Sequence, residues 1–200
     1  MRFLLKIAGI ILAVVLLFWC GSVVLDRVAL NENLIRLHVV ANSDSDEDQA
    51  LKLKVRDAVV DKLQETMERF PTMEEAREYL QTHLSELQEY VNQVIRELGC
   101  TDTAKVSLDG EAFDTREYDT FTLPAGYYEA LRVTIGEGQG KNWWCVVFPS
   151  LCVGTKSDFA DTAAGAGFSD TLTETLQQPT EIRFFLLDWL GQVENFFRSL

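Results

Sequence analysis

An uninterrupted apolar run near the N-terminus constrains where the rest of this chain can fold. Arg2 and Lys6 precede the run, and no charged residue occurs from Ile7 to Leu25. These nineteen residues would rise about 28 Å as a helix, close to the thickness of the hydrocarbon core of a bilayer. Because positive charges precede the run and Asp26 follows it, we expect the N-terminus inside and the remaining chain outside the cytoplasm.

Residues 1–25 are therefore interpreted as either a signal peptide or a membrane anchor. The run is longer than the usual core of a signal peptide, which is about 7–15 residues. Cys20-Gly21-Ser22 provides only a weak cleavage site, and the bulky Phe18 and Trp19 argue against a lipoprotein cysteine. Both alternatives stay open at this point.

The exported part is strongly acidic. The whole chain carries a net charge of −13, and without Arg2 and Lys6 it has 16 basic against 31 acidic residues, or −15. Such a charge is repelled by nucleic acid and by anionic lipid headgroups. The composition argues against a nucleic-acid partner and favours a protein partner, with membrane contact through the N-terminal segment.

The first half of the exported part is predicted to contain one strand and two amphipathic helices. Leu34 to Ala41 is a short apolar run typical of a buried strand. Apolar residues then recur every three or four positions on both sides of Pro71. Thr72 and Glu75 form a capping box for the second helix, and Gly99 is the glycine expected after its end.

The second half is predicted to be an antiparallel meander. Apolar residues alternate with polar ones from about 105 to 148, which is the period of a half-buried strand. The resulting fold class is α+β, with the helices covering one face of the sheet, over residues 30–152. Residues 153–179 are predicted to be a flexible linker, and residues 180–200 a C-terminal amphipathic helix that docks on the domain or on a partner.

Two features resemble ligand sites but fail in their spacing. Asp44, Asp46 and Asp48 begin like a calcium loop, yet Gln49 stands where that loop needs glycine. The glycine-rich segment 136–141 lacks the spacing of a phosphate loop and is predicted to be a hairpin turn. We therefore expect no cofactor, no metal site and no catalytic residue, and conclude that the chain is not an enzyme.

The three exported cysteines allow one disulfide bond. Cys145 and Cys152 are close enough to bridge across a turn that contains Pro149, while Cys100 would remain free. The alternative is that all three are small buried apolar residues.

The adjacent tryptophans Trp143 and Trp144 are the strongest candidates for a partner-binding site. Successive side chains of a strand point to opposite faces, so one ring can fill the core while the other forms an aromatic anchor at an interface. The alternative is that both rings are covered within the domain. Asn42, Asp44 and Trp189 are weaker candidates for the same contact.

Several segments together resemble the stage II sporulation protein R family of endospore-forming bacteria. The Asn-Trp-Trp-Cys run is the most specific of them. The resemblance covers about residues 30–152 and the C-terminal segment, through residues 35–46, 54–59, 123–130, 140–149 and 184–190.

This resemblance implies an exported signalling protein, made in the forespore and located between forespore and mother cell. Such proteins trigger a membrane-bound aspartic protease of the mother cell, which then cleaves the precursor of a sigma factor. The family offers no established catalytic residues to transfer. The alternatives are an extracytoplasmic cell-wall-binding module or hydrolase, since tryptophans also stack on sugars, and a structural anchor of the septal membranes.

Overall fold

A four-stranded mixed sheet lies between two layers of helices. This architecture comes from a computed structural model that describes residues 2–152 and 159–200. The helices are α1 (Arg2–Asn33), α2 (Asp46–Met67), α3 (Met73–Glu97), α4 (Phe159–Gly165), α5 (Asp170–Gln177) and α6 (Ile182–Arg198). The strands are β1 (Ile35–Val40), β2 (Ala104–Phe113), β3 (Arg116–Glu117), β4 (Thr122–Leu123), β5 (Gly126–Ile135) and β6 (Asn142–Phe148).

Strand β1 lies inside the sheet, whose strand order is β2-β5-β1-β6. It pairs with β5 in parallel and with β6 in antiparallel orientation. All six of its residues are buried, as expected for a strand that is covered on both faces. The α+β class predicted from the sequence is confirmed. The predicted meander is corrected, because β1 separates β5 from β6.

Helix α3 has the boundaries that its capping residues predict. The side chain of Thr72 accepts a hydrogen bond from the Glu75 backbone N–H at 3.3 Å, and Gly99 adopts a φ of 78° after the end of α3. Helices α2 and α3 cover one face of the sheet. They form a core with Leu37, Val39 and other apolar residues of β1, β2, β5 and β6.

The second face of the sheet is also covered, which corrects the prediction that helices cover only one face. The end of α1 together with α4, α5 and α6 forms a separate apolar core against it. Its buried members include Val23, Leu30, Tyr128, Val146, Leu172 and Leu187. The protein thus has three layers.

The predicted linker of residues 153–179 is corrected for its described part. Helices α4 and α5 occupy most of it, and Ser169 caps α5 by accepting the N–H of Leu172 at 3.1 Å. Phe159, Leu172 and Leu176 are buried against the sheet. These few apolar residues are spaced among small and polar ones, so the composition conceals the helical pattern. Residues 153–158 lie outside the described residues.

Residues 1–25, the predicted signal peptide or membrane anchor, are called the leader below. Helix α1 continues well past the end of this leader, to Asn33. Within the described residues it is the one helix long and apolar enough to cross a membrane. Its last third belongs to the domain, since Val23 and Leu30 are almost completely inaccessible to solvent. The domain therefore begins inside the same helix that carries the leader, and that helix is compatible with either a signal peptide or an anchor.

We predict that Leu30→Ala lowers the free energy of unfolding by about 2–5 kcal/mol, because it leaves a cavity in the second core. Leu25→Ala is the matched control, since Leu25 lies on the same helix with 70% of its surface exposed. Urea unfolding of the full chain in detergent micelles, followed by tryptophan fluorescence, measures both. Equal stability of the two variants would contradict the assignment of this helix end to the core.

Candidate functional site

Trp143 and Trp144 lie side by side on β6, at the edge of the sheet. In the register with β1, Trp143 is opposite Val39 and Trp144 is opposite His38. The two rings point to opposite faces, as the strand period predicts. Trp143 is 38% exposed, and the guanidinium of Arg56 from α2 lies 4.3 Å from its ring centre. Trp143 is thus an exposed aromatic ring supported from one side.

Trp144 is held between two polar side chains on the other face. It stacks on His38 with 5.7 Å between ring centres, and the Arg116 guanidinium lies 3.5 Å from its centre. His38 is fixed in turn, because its Nδ1 lies 2.9 Å from the carboxylate of Glu111, which also pairs with Arg132 at 2.9 Å. This half-buried ring is part of the framework that supports the edge.

Asn42 and Asp44 hold the turn that leads into β6. The Asn42 side-chain oxygen accepts the Glu137 N–H at 2.9 Å, and the Asp44 carboxylate accepts the Lys141 N–H at 2.7 Å. The Asn42 amide donates to Asp48 at 3.0 Å. Both predicted residues therefore lie near the tryptophan pair, and their hydrogen bonds position the turn that leads into β6.

The glycine-rich turn, residues 136–141, passes over the end of β1 to connect β5 with β6. It is a crossover and not the predicted hairpin. The N–H of Gly140 bonds to the Ala41 carbonyl at 2.9 Å, and a Cβ on Gly140 would collide with the carbonyl oxygen of Ser43. Gly136 has a φ of 55°, in the left-handed region that favours glycine. The close approach of two backbones explains Gly140, and the left-handed conformation explains Gly136.

Two ionisable groups beside this turn are tuned by their neighbours. The hydrogen bond from the Ser43 hydroxyl, at 2.6 Å, lowers the pKa of Asp48 below its usual value, so this carboxylate is ionised at neutral pH. Burial lowers the pKa of Lys52, whose Nζ donates to the carbonyl of Lys141 at 3.0 Å. The Lys52 contact ties α2 to the turn, and the Asp48 contact ties α2 to the segment that follows β1.

Cys145 and Cys152 form a disulfide, with 5.4 Å between their Cα atoms. Cys20 and Cys100 are free. The bridge draws the chain after β6 back onto the strand. Among the described residues, the two tryptophans, the disulfide and the β3–β4 hairpin line one groove of about 530 Å³. The exposed edge is thus concave next to Trp143.

Trp189 lies on a different surface. It is 52% exposed on α6, a helix that packs against β5 and α1. The structure therefore brings together four of the five predicted contact residues and leaves Trp189 outside that group.

A buried polar cluster escaped the sequence reasoning. Arg36 is completely buried, donates to the Tyr118 hydroxyl at 2.9 Å and lies with its guanidinium carbon 3.9 Å from the centre of the Phe113 ring. The sequence feature that could have predicted this cluster is the spacing of Arg36 and His38, which places both side chains on one face of an otherwise apolar strand. Their contacts support the β3–β4 hairpin and Trp144.

The described residues contain no group of three or more His, Cys, Asp or Glu side chains arranged to hold a metal ion. Of the acidic residues after β1, Asp44 accepts a hydrogen bond from the turn, and Asp48 accepts hydrogen bonds from Asn42 and Ser43. What the geometry offers is a rigid, partly aromatic edge suited to contact with a macromolecule.

Comparison with known proteins places this chain in a class of bacterial sporulation proteins. The profile of the stage II sporulation protein R family matches residues 31–158. Stage II sporulation protein R of Bacillus subtilis (strain 168) is 32% identical over 190 residues, covering 83% of this chain and 84% of that protein. No solved structure matches the chain.

The chain belongs to the stage II sporulation protein R family. This membership confirms the resemblance read from the sequence and supports a role in sporulation. The matched region contains the tryptophan pair, the glycine-rich turn, Asn42 and Asp44.

We predict that Gly140→Ala destabilises the crossover turn, because the added Cβ forces the two backbones apart, at a cost of about 1–3 kcal/mol. Hydrogen exchange in residues 136–141 should accelerate. Gly165→Ala is the matched control, since a Cβ there meets no atom within 4 Å. Unchanged exchange in Gly140→Ala would contradict the role of this close approach.

We also predict that the double variant Cys145→Ala/Cys152→Ala loses roughly 2–3 kcal/mol of unfolding free energy, as expected when a short loop is no longer closed. Cys100→Ala should leave stability nearly unchanged, because Cys100 is free. Denaturant unfolding with and without reductant measures the difference. A wild-type protein insensitive to reductant would argue against the bridge.

Proposed function

We propose that this protein is a non-enzymatic, exported signal. In this proposal it acts in the space between forespore and mother cell and binds the extracytoplasmic part of the membrane-bound aspartic protease of the mother cell. Binding favours the active state of the protease, which leads to processing of the sigma-factor precursor. The observation that carries the proposal is membership of the stage II sporulation protein R family.

Three features of the chain support this role. The apolar part of α1 is suited to carry the domain to or across a membrane. The acidic composition disfavours direct action on DNA. The edge at Trp143 presents an aromatic ring on a rigid support, which is the usual character of an interface hot spot.

Activation requires differential affinity. A ligand shifts an equilibrium between inactive and active protease only as far as it binds the active state more tightly. A rigid edge strengthens binding to the state whose surface it complements, because little conformational entropy is lost when it docks. The disulfide and the hydrogen bonds of Asn42 and Asp44 supply that rigidity.

Reconstitution tests the proposal directly. Vesicles carry the protease and the sigma-factor precursor, and the full chain is supplied from the extracytoplasmic side. The full chain is used because the domain begins within α1. Cleavage that depends on the added protein supports a direct activator. No cleavage with folded protein contradicts it, and binding to purified peptidoglycan without the protease would favour the cell-wall-binding alternative.

We predict that Trp143→Ala weakens activation by roughly 30-fold or more, the effect of losing about 2 kcal/mol at an interface hot spot. The fold should persist, since Trp143 is partly exposed. Leu98→Ala is the matched control, because Leu98 is 39% exposed at the end of α3, the helix that packs along the opposite edge strand β2. The concentration for half-maximal cleavage measures both. Equal half-maximal concentrations for the two variants would show that Trp143 is not a contact residue.

A further inference from the structure

Helix α6 presents a broad apolar face to its surroundings. Its exposed residues include large aromatic side chains that a soluble surface rarely collects on one helix. Trp189 is 52% exposed and Phe185 is 68% exposed. With the helical period of 3.6, the stripe comprises Ile182, Phe185, Trp189, Val193 and Phe196, and Phe197 and Leu200 extend it at the end of the chain.

The charges of α6 point away from this face and are paired within the protein. Asp188 accepts the backbone N–H of Ala125 at 2.7 Å, so it faces the domain. Arg183 pairs with Asp26 of α1, and Glu194 pairs with Arg27 of α1 at 2.9 Å. Arg198 also pairs with Glu194, so the two acidic and two basic residues of α6 balance and all have partners within the protein.

The ion pairs fix where α6 meets α1. Arg183 and Glu194 lie eleven residues apart on α6, yet they bind the neighbouring residues Asp26 and Arg27. Both ends of α6 are therefore tied to one point of α1, at the position where the apolar run ends.

The apolar stripe of α6 borders its α1-facing side. On the helical wheel, Leu186 and Leu190 lie between the stripe and the side that carries Arg183 and Glu194. Both are half-buried in the second core. The exposed apolar surface therefore continues from α6 towards the exposed apolar surface of α1, where Leu25 is 70% exposed.

We propose that the aromatic face of α6 lies in the headgroup region of the membrane into which α1 inserts. The occupant of this face is a lipid bilayer, because the ion pairs hold α6 at the point where the apolar run of α1 ends, and the exposed apolar surface of α6 continues that of α1. Trp and Phe suit this region, where an amphipathic helix sinks about 5–10 Å. Since the charges of α6 are paired, the contact needs no anionic lipid. This inference rests on the membrane placement of α1 in the proposed function.

Tryptophan quenching by brominated lipids tests this placement. The full chain is reconstituted in phosphatidylcholine vesicles brominated either near the headgroup or deep in the acyl chains. Comparison of the wild type with Trp19→Phe, Trp143→Phe and Trp189→Phe assigns the fluorescence of each ring. We expect Trp189 to lose intensity with shallow bromines much more than with deep ones. Trp143 should be insensitive to both.

Trp19 is the internal reference for α1, because it lies in the apolar run. Quenching of Trp19 without quenching of Trp189 would overturn the inference and leave the membrane placement of α1 intact. Absence of quenching at both would overturn both placements. Protease activation is measured in a separate assay, so a failure of activation cannot be mistaken for either quenching result. A Trp189 signal protected by self-association of the protein would also overturn the inference.

Discussion

The double pairing of β1 is the constraint on which the rest of this structure depends. This strand bonds to β5 on one side and β6 on the other, and its six residues are all buried, so both of its faces are covered. Leu37 and Val39 meet α2 and α3, while Arg36 and His38 face the opposite layer. The crossover turn must then pass over the end of β1, which places Asn42 and Asp44 beside the tryptophan pair.

The sequence was most informative where local chemistry decides the structure. Thr72 and Gly99 mark the ends of α3 because capping depends on a few neighbouring residues. The disulfide partners were also foreseen as one of two alternatives. The order of the strands in the sheet was not predictable, because the alternation of apolar residues in β5 and β6 does not specify the strand with which each of them pairs. The second core was hidden because Leu30, Leu172 and Leu187 are distant in sequence.

The candidate site was predicted in part for the same reason. Trp143 stands out by residue type, and the strand period predicts its outward direction. The positions of Asn42 and Asp44 depend on a turn almost a hundred residues away, so their hydrogen bonds to it could not be predicted from the sequence. Their contact with a partner stays a prediction. Trp189 was grouped with them by residue type alone, although it lies on α6.

Two surfaces with different chemistry emerge on one rigid domain. The edge at Trp143 is aromatic, concave and framed by polar residues, as suits a protein partner. The face of α6 is uniformly apolar beside the leader helix, as suits lipid. Contact of α6 with the membrane would fix the orientation of the domain and hence the direction in which the Trp143 edge is presented to a partner in a facing membrane.

Site-specific photocrosslinking tests this division of roles most directly. A photoreactive phenylalanine analogue replaces Trp143 in one sample of the full chain and Trp189 in another, and both are supplied to vesicles that carry the protease. We expect a covalent adduct with the protease from position 143 and adducts with lipid from position 189. Protease adducts from position 189, with none from position 143, would contradict this division of roles.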